Sequence, residues 1–113
     1  MFGSMLGRQS SGRISPAEAK ERLQSDGKVL LLDVRTPEEY RQAHIPGSVL
    51  LPLDRLRGGI AKAAKDKETE IIVYCLSGMR AAQACSELDS MGYVNVKNMG
   101  GIRSWRYGTE SGS

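Results

Sequence analysis

Ile71-Ile72-Val73-Tyr74-Cys75-Leu76-Ser77-Gly78-Met79-Arg80 is the stretch that decides how this chain is read. An apolar run ends on a cysteine, a short loop containing glycine follows, and a helical pattern then runs from Arg80 to Met91. Ala81, Ala84, Cys85, Leu88 and Met91 recur at helical spacing and make one apolar stripe, with Gly92 placed to cap its end. The order is therefore strand, tight loop, helix. A cysteine at the carboxyl end of a buried strand, facing a helix N-terminus, stands where negative charge is stabilised. Loop N–H groups can converge on one point there, and the helix adds roughly half a positive charge.

A free thiol has a pKa of about 8.5 and is only a few per cent thiolate at neutral pH, so a nucleophilic cysteine needs such help. Cys75 is the candidate nucleophile, and Leu76, Ser77, Gly78, Met79 and Arg80 form the candidate anion-binding loop. Ser77 can donate a hydroxyl hydrogen bond. Gly78 permits a backbone angle that a side chain resists. Arg80 carries a permanent charge that can anchor loop carbonyls or meet an anionic substrate. The competing reading of Cys75 is a buried strand-end cysteine with only a packing role. The Gly and Arg at these offsets, with a helix directly behind, favour chemistry. Cys85 lies on the apolar stripe and is read as core rather than as a resolving thiol.

Working outward, Val29 to Val34 is a near-continuous apolar strand, which belongs in the centre of a covered, largely parallel sheet. Ser15-Pro16-Ala17-Glu18 is a capping box with proline at the first helical position, and Asp26-Gly27 ends the helix. Thr36-Pro37-Glu38-Glu39 repeats the device for a helix through about Ala43. His44-Ile45-Pro46-Gly47-Ser48 is turn chemistry in which His44 satisfies a turn carbonyl. Val49 to Leu51 is a short strand closed by Pro52. Leu53 to Lys65 is helical in pattern, weakened at Gly58-Gly59. Tyr93 to Val96 is a strand, Asn98 to Gly101 a turn, and Ile102 to Tyr107 a final helix whose Trp105 closes the core. Helix and strand alternate, so the class is α/β with one mainly parallel sheet and helices on both faces. The domain spans 13–107. Residues 1–12, half of them Gly or Ser, and residues 108–113 are expected to be flexible tails. Asp33 is read as structural, pairing with Arg35 or accepting loop N–H bonds, and Arg35 is a candidate for helping to bind an anion.

The 113 residues suit one domain of ordinary composition, 40% hydrophobic and 26% charged. The net charge of +3, from 16 basic and 13 acidic residues, is mild and scattered. One Phe and one Trp give no aromatic-plus-basic stripe for stacking bases, which argues against nucleic acid. Two cysteines outside any C-x-x-C pair, with His44 the only histidine, make neither a disulfide framework nor a zinc site. Apolar runs such as Val29 to Leu32 fall far short of a membrane span. The expectation is a cytoplasmic protein with no metal or cofactor, acting as a monomer or weak dimer.

Four motifs in order carry a resemblance. They are Asp33-Val34-Arg35-Thr36-Pro37-Glu38-Glu39-Tyr40, His44-Ile45-Pro46-Gly47-Ser48, Cys75 to Arg80, and Gly100-Gly101-Ile102 with Trp105. Together, from about Ile14 to Tyr107, the chain resembles a single-domain rhodanese. The resemblance implies a five-stranded, mostly parallel sheet, a catalytic cysteine at Cys75 and an anion-cradling loop over Leu76 to Arg80. It implies a sulfurtransferase that takes sulfur from a donor such as thiosulfate, holds it as a Cys75 persulfide, and passes it to cyanide or a thiol. Leu76 and Met79 stand where many thiosulfate-using members carry basic or polar residues. A small-molecule or protein-bound persulfide is therefore an alternative donor. A carrier or docking module without turnover is the second reading. A cysteine-dependent phosphatase or arsenate reductase is the third. Phosphatases carry Cys-x5-Arg, and Cys75 to Arg80 is the tighter Cys-x4-Arg.

Overall fold

A computed structural model of the chain describes residues 12–25 and 27–112. Residues 1–11 of the expected tail, Asp26 of the helix-ending pair, and Ser113 lie outside the described residues.

Five strands form one sheet: β1 (Gly12–Arg13), β2 (Leu30–Asp33), β3 (Val49–Leu50), β4 (Ile71–Cys75) and β5 (Val96–Gly101). Their order is β1-β5-β4-β2-β3, and every pairing is parallel. β4 is thus central, as its unbroken apolar run requires. Four helices cover the sheet: α1 (Pro16–Ser25), α2 (Pro37–Gln42), α3 (Leu56–Ala63) and α4 (Met79–Ser90). Short 3-10 turns at Leu53–Arg55 and Ile102–Ser104 complete the chain.

The period of two in β4 divides the core between the two faces. Ile71, Val73 and Cys75 point to one side, with Leu56 and Ile60 of α3 and Ala81, Ala84, Cys85 and Leu88 of α4. Ile72 and Tyr74 point to the other, with Ala19 of α1, Ile45 and Met99. Each fully buried Leu or Ile side chain contributes about 1.5–3 kcal/mol relative to exposure. Cys75 therefore lies on the face covered by α4, beneath that helix's first turn.

Five expectations are corrected. The last strand is Val96–Gly101 rather than Tyr93 to Val96, and Asn98 to Gly101 is part of it, not a turn. A register shift opposite Val73/Tyr74 lets Gly100, at φ +95°, stay in the ladder, and Asn98 Oδ1 accepts its N–H at 2.7 Å. The expected final helix is only the single turn Ile102–Ser104, with Trp105 packed on the second core. The expected helix from Leu53 splits into a 3-10 turn and α3, and Gly58-Gly59 does not break it, because Leu56 and Ile60 anchor the turn to the core. Gly12 is not tail but strand, paired with Lys97. Residues 108–112 are not a loose tail. Glu110 exchanges backbone bonds with His44 at 2.8 and 2.9 Å, and the Gly112 N–H reaches the Arg41 carbonyl at 2.8 Å.

Candidate active site

The site is built where β4 runs out beneath α4. Gly78 sits at φ +112°, ψ −17° as the N-cap of α4, a conformation that glycine adopts freely. That turn aims two amides at one atom. Gly78 N–H donates to Cys75 Sγ at 2.9 Å and Ala81 N–H donates at 3.3 Å. The first three amides of a helix have no carbonyl one turn earlier. In α4 these belong to Met79, Arg80 and Ala81, and Ala82 makes the first bond of the helical pattern, to Gly78. Cys75 is 1% exposed, so its sulfur is enclosed between strand, loop and helix.

The loop rests on Gly100 and Gly101. A Cβ on Gly101 would lie 2.1 Å from Leu76 O and 2.8 Å from Ser77 Cα, closer than atoms pack. A Cβ on Gly78 would meet Gly100 Cα at 3.5 Å. The glycine pair is thus the floor that lets the loop backbone lie flat against β5.

Arg80 does not turn inward to the loop. Its guanidinium forms a two-point pair with Glu39 of α2, Nη1 to Oε1 at 2.8 Å and Nη2 to Oε2 at 3.0 Å. Glu39 also closes the α2 capping box, accepting the Thr36 N–H at 2.9 Å. The hydrogen bonds from Arg80 hold the Glu39 carboxyl down to about 2, well below the usual carboxylate range. Arg80 therefore ties the loop to α2 across the sheet edge rather than anchoring loop carbonyls.

Asp33 and Arg35 meet at the end of β2. Asp33 Oδ1 accepts the Arg35 backbone N–H at 2.9 Å, and its Oδ2 accepts Arg35 Nη2 at 2.8 Å. Arg35 Nη2 also donates to the Ala43 carbonyl at 2.6 Å. Both residues are buried, at 0% and 4% exposure, and Asp33 makes no bond to the loop amides. Beside them Tyr74 is fully buried; its hydroxyl accepts the Ile45 N–H at 3.1 Å and donates to Ser48 Oγ at 3.2 Å. Burial pushes the Tyr74 phenol well above its ordinary value, so it stays neutral and locks the 44–48 turn in place. His44 Nδ1 lies 2.8 Å from the Tyr40 carbonyl, which belongs to α2 and not to the turn that its sequence suggested, and its Nε2 lies 3.2 Å from Glu110 Oε2. Ser77 and Met79 stand at the rim, Met79 with 80% of its surface open. Cys85 lies in the core, and burial pushes its thiol up to about 12, which keeps it protonated and inert.

Sequence reasoning missed two contributors. Glu39 was legible only as a capping residue, because its partner lies 41 positions away. Gly101 was read as a turn, and its role as the loop's floor follows only from the sheet register. No group of metal-ligating side chains occurs among the described residues, and no described helix is long and apolar enough to cross a membrane.

A family model for the rhodanese-like domain matches residues 15–107. The chain is 42% identical over 72 residues to the thiosulfate sulfurtransferase PspE of Escherichia coli, covering 64% of this chain and 69% of that protein. It is 38% identical over 93 residues to a sulfurtransferase of Allochromatium vinosum, covering 81% of this chain and 85% of that one. Among solved structures it is similar to a rhodanese with anions from E. coli, with a TM-score of 0.71 and 37% identity over 74% of this chain and 99% of that one. With a parallel α/β sheet, a cysteine loop at its carboxyl edge and these relatives, the chain belongs to the rhodanese-like family, among the sulfurtransferases.

Proposed function

We propose that Cys75 is the nucleophile of a two-step sulfur transfer. The observation that carries this reading is the convergence of the Gly78 and Ala81 amides on Cys75 Sγ. Hydrogen bonds to a charged sulfur are roughly twice as strong as neutral ones and offset the burial of its charge. In the first step the Cys75 thiolate attacks the outer sulfur of a donor such as thiosulfate. The new S–S bond forms as the donor's S–S bond breaks, and sulfite leaves with the electron pair. In the second step cyanide or a thiolate attacks the outer sulfur, and the pair returns to Cys75. Charge and electrons balance in each step without an oxidant.

The enclosure of Cys75 selects donors whose transferable sulfur protrudes from the rest of the molecule, as a terminal sulfane sulfur does. Met79 and Arg80, with amides unbonded by the helix, supply further donors for that outer sulfur. Leu76 and Ser77 shape the rim, and Asp33 with Arg35 holds the end of β2 in place. A reducing, cytoplasmic setting goes with this reading, since a nucleophilic thiol such as Cys75 persists there. The partners are a small sulfur donor and acceptor or a protein-bound persulfide, taken up by a monomer or weak dimer.

Intact mass spectrometry after incubation with a sulfur donor tests this. A gain of about 32 Da, one sulfur, that cyanide removes is expected. Cys75→Ser abolishes the gain and Cys85→Ser keeps it. A gain of that mass that cyanide does not discharge would be two oxygens on a sulfinic acid rather than sulfane sulfur, and would contradict the transfer. Turnover of an aryl phosphate through Cys75 would replace the sulfur reading altogether.

A further inference from the structure

Beside the cysteine loop, on the α1 flank, lies a cleft of about 470 Å³ that the two transfer steps leave unused. Its polar side chains are Arg13, Ser15, Glu18, Ser77 and Ser104, and Gly101 forms part of its wall. A space of this size suits a small organic molecule, since such sites run from about 300 to 1,000 Å³. Arg13 ends β1, is exposed, and makes no ion pair or side-chain hydrogen bond among the described residues. Arg35 and Arg80, by contrast, are committed to Asp33 and Glu39. Glu18 does not neutralise Arg13. Its Oε1 accepts the Ser15 N–H at 3.0 Å in the α1 capping box, and its Oε2 has no partner among the described residues. The cleft thus presents one cation and one anion, each with capacity unspent. That pattern complements an α-amino-acid end, whose carboxylate takes the Arg13 fork and whose ammonium takes the open oxygen of Glu18.

Reach sets the rest of the ligand. β1 lies two strands from β4 in the order β1-β5-β4. Strands are about 4.8 Å apart, which puts the strand of Arg13 about 10 Å from that of Cys75. In cysteine itself the thiol and both charges sit on adjacent carbons, too close to span that gap. A thiol with the amino-acid end one residue further on does span it, passing over Ser77. That end must be joined through its side chain, because an ordinary peptide bond would consume one of the two charges. We infer that this cleft is the acceptor site of the second step, and that Arg13 and Glu18 select a small peptide thiol bearing a free α-amino-acid end. This rests on the sulfur-transfer reading above and names its acceptor. The acceptor thiolate attacks the outer sulfur of the Cys75 persulfide. A new S–S bond forms, the bond to Cys75 breaks, and the electron pair returns to Cys75 Sγ. The acceptor leaves as a persulfide; total charge is unchanged and nothing else is consumed.

The test isolates that step. Cys75 is loaded with sulfur, freed of donor, and mixed with one thiol at a time well below saturation. Quenched intact mass follows the loss of sulfur, and each rate is divided by the thiolate concentration. The probes are glutathione, whose γ-glutamyl end is of this kind; its N-acetyl derivative, which lacks the ammonium; and 2-mercaptoethanol, which carries neither charge. In wild type, glutathione is expected to discharge Cys75 about tenfold faster than 2-mercaptoethanol at low salt, the gap narrowing as salt screens the charges. Arg13→Gln should slow glutathione about fivefold, with 2-mercaptoethanol held within about twofold as a sign of an intact loop. Arg13→Lys should recover part of the loss. Glu18→Gln preserves the capping box and should slow glutathione about fivefold while leaving the N-acetyl derivative unchanged. Lys62→Gln removes the same charge as Arg13→Gln from α3, on the sheet's other face, and should change none of the rates. No preference for glutathione in wild type, a preference that survives both Arg13→Gln and Glu18→Gln, or an equal effect of Lys62→Gln would overturn the inference. The sulfurtransferase reading would stand, since cyanide would still discharge Cys75. A loaded Cys75 that neither the thiols nor cyanide discharge would overturn that reading itself.

Discussion

Gly101→Ala perturbs the loop sharply while leaving the Cys75 side chain and the Gly78 and Ala81 residues that donate to it unaltered. Gly101 has φ −109° and ψ 151°, extended geometry that alanine adopts without strain, so any effect is steric. The added Cβ would lie 2.1 Å from Leu76 O, 2.8 Å from Leu76 C and 2.8 Å from Ser77 Cα. All three are backbone atoms, which cannot rotate away. Bringing Leu76 O out to an ordinary contact needs a shift of about 1 Å, delivered one residue from Cys75. A misplacement of about 1 Å costs about 100-fold where rate depends on alignment. Overpacking of this kind costs about 1–3 kcal/mol of stability. The assay is quenched intact mass for the rate of Cys75 sulfur loading, with thermal unfolding in parallel. A folded Gly101→Ala protein that loads within about twofold of wild type would show that the loop's exact seat on β5 does not govern the chemistry, and the geometric reasoning would fail.

Three further outcomes follow from the same contacts. Gly58→Ala places its Cβ in open space on α3 and should add about 0.5–1 kcal/mol, seen as a rise of about 3–6 °C in unfolding temperature with loading unchanged. Arg35→Ala leaves the buried Asp33 carboxylate without its ion partner and should cost about 3–5 kcal/mol, read as a lower denaturant midpoint at unchanged slope. The Glu39 carboxyl is held down to about 2 in the fold against an ordinary 4.5. A depressed carboxyl contributes stability above its unfolded value and loses it as pH falls through the folded one. The stability difference between wild type and Glu39→Gln should therefore be full at neutral pH and vanish between about pH 4.5 and 2. A difference that persists at pH 2 would contradict the Arg80 pairing.

Much of the architecture was legible because local signals agreed with one another. The two capping boxes, the unbroken apolar runs of β2 and β4, and the helical stripe through Ala81, Ala84, Cys85 and Leu88 each specify one element and one face. Beyond Gly92 that agreement ends. Asn98, Gly100 and Gly101 read as a turn because glycine and asparagine favour turns, yet the β4 ladder holds them in register with Val73, Tyr74 and Cys75. The position of Cys75 at the strand end and the left-handed Gly78 were also readable. The partner of Arg80 was not. Charge alone allowed it to face the loop or the substrate, and only the tertiary fold, which sets the first turns of α2 and α4 side by side, brings Glu39 within reach. The C-terminal bonds to His44 and Arg41 were invisible for the same reason, since the Gly- and Ser-rich composition there describes the chain's freedom and not its contacts.

The most direct test of the central claim is to record backbone amide NMR spectra of the protein before and after sulfur loading. If the loop amides hold the charge on sulfur, the N–H resonances of Gly78 and Ala81 shift most, with Met79 and Arg80 next, and cyanide returns all four to their starting positions. Loading that leaves Gly78 and Ala81 unmoved, while amides elsewhere respond, would contradict the account.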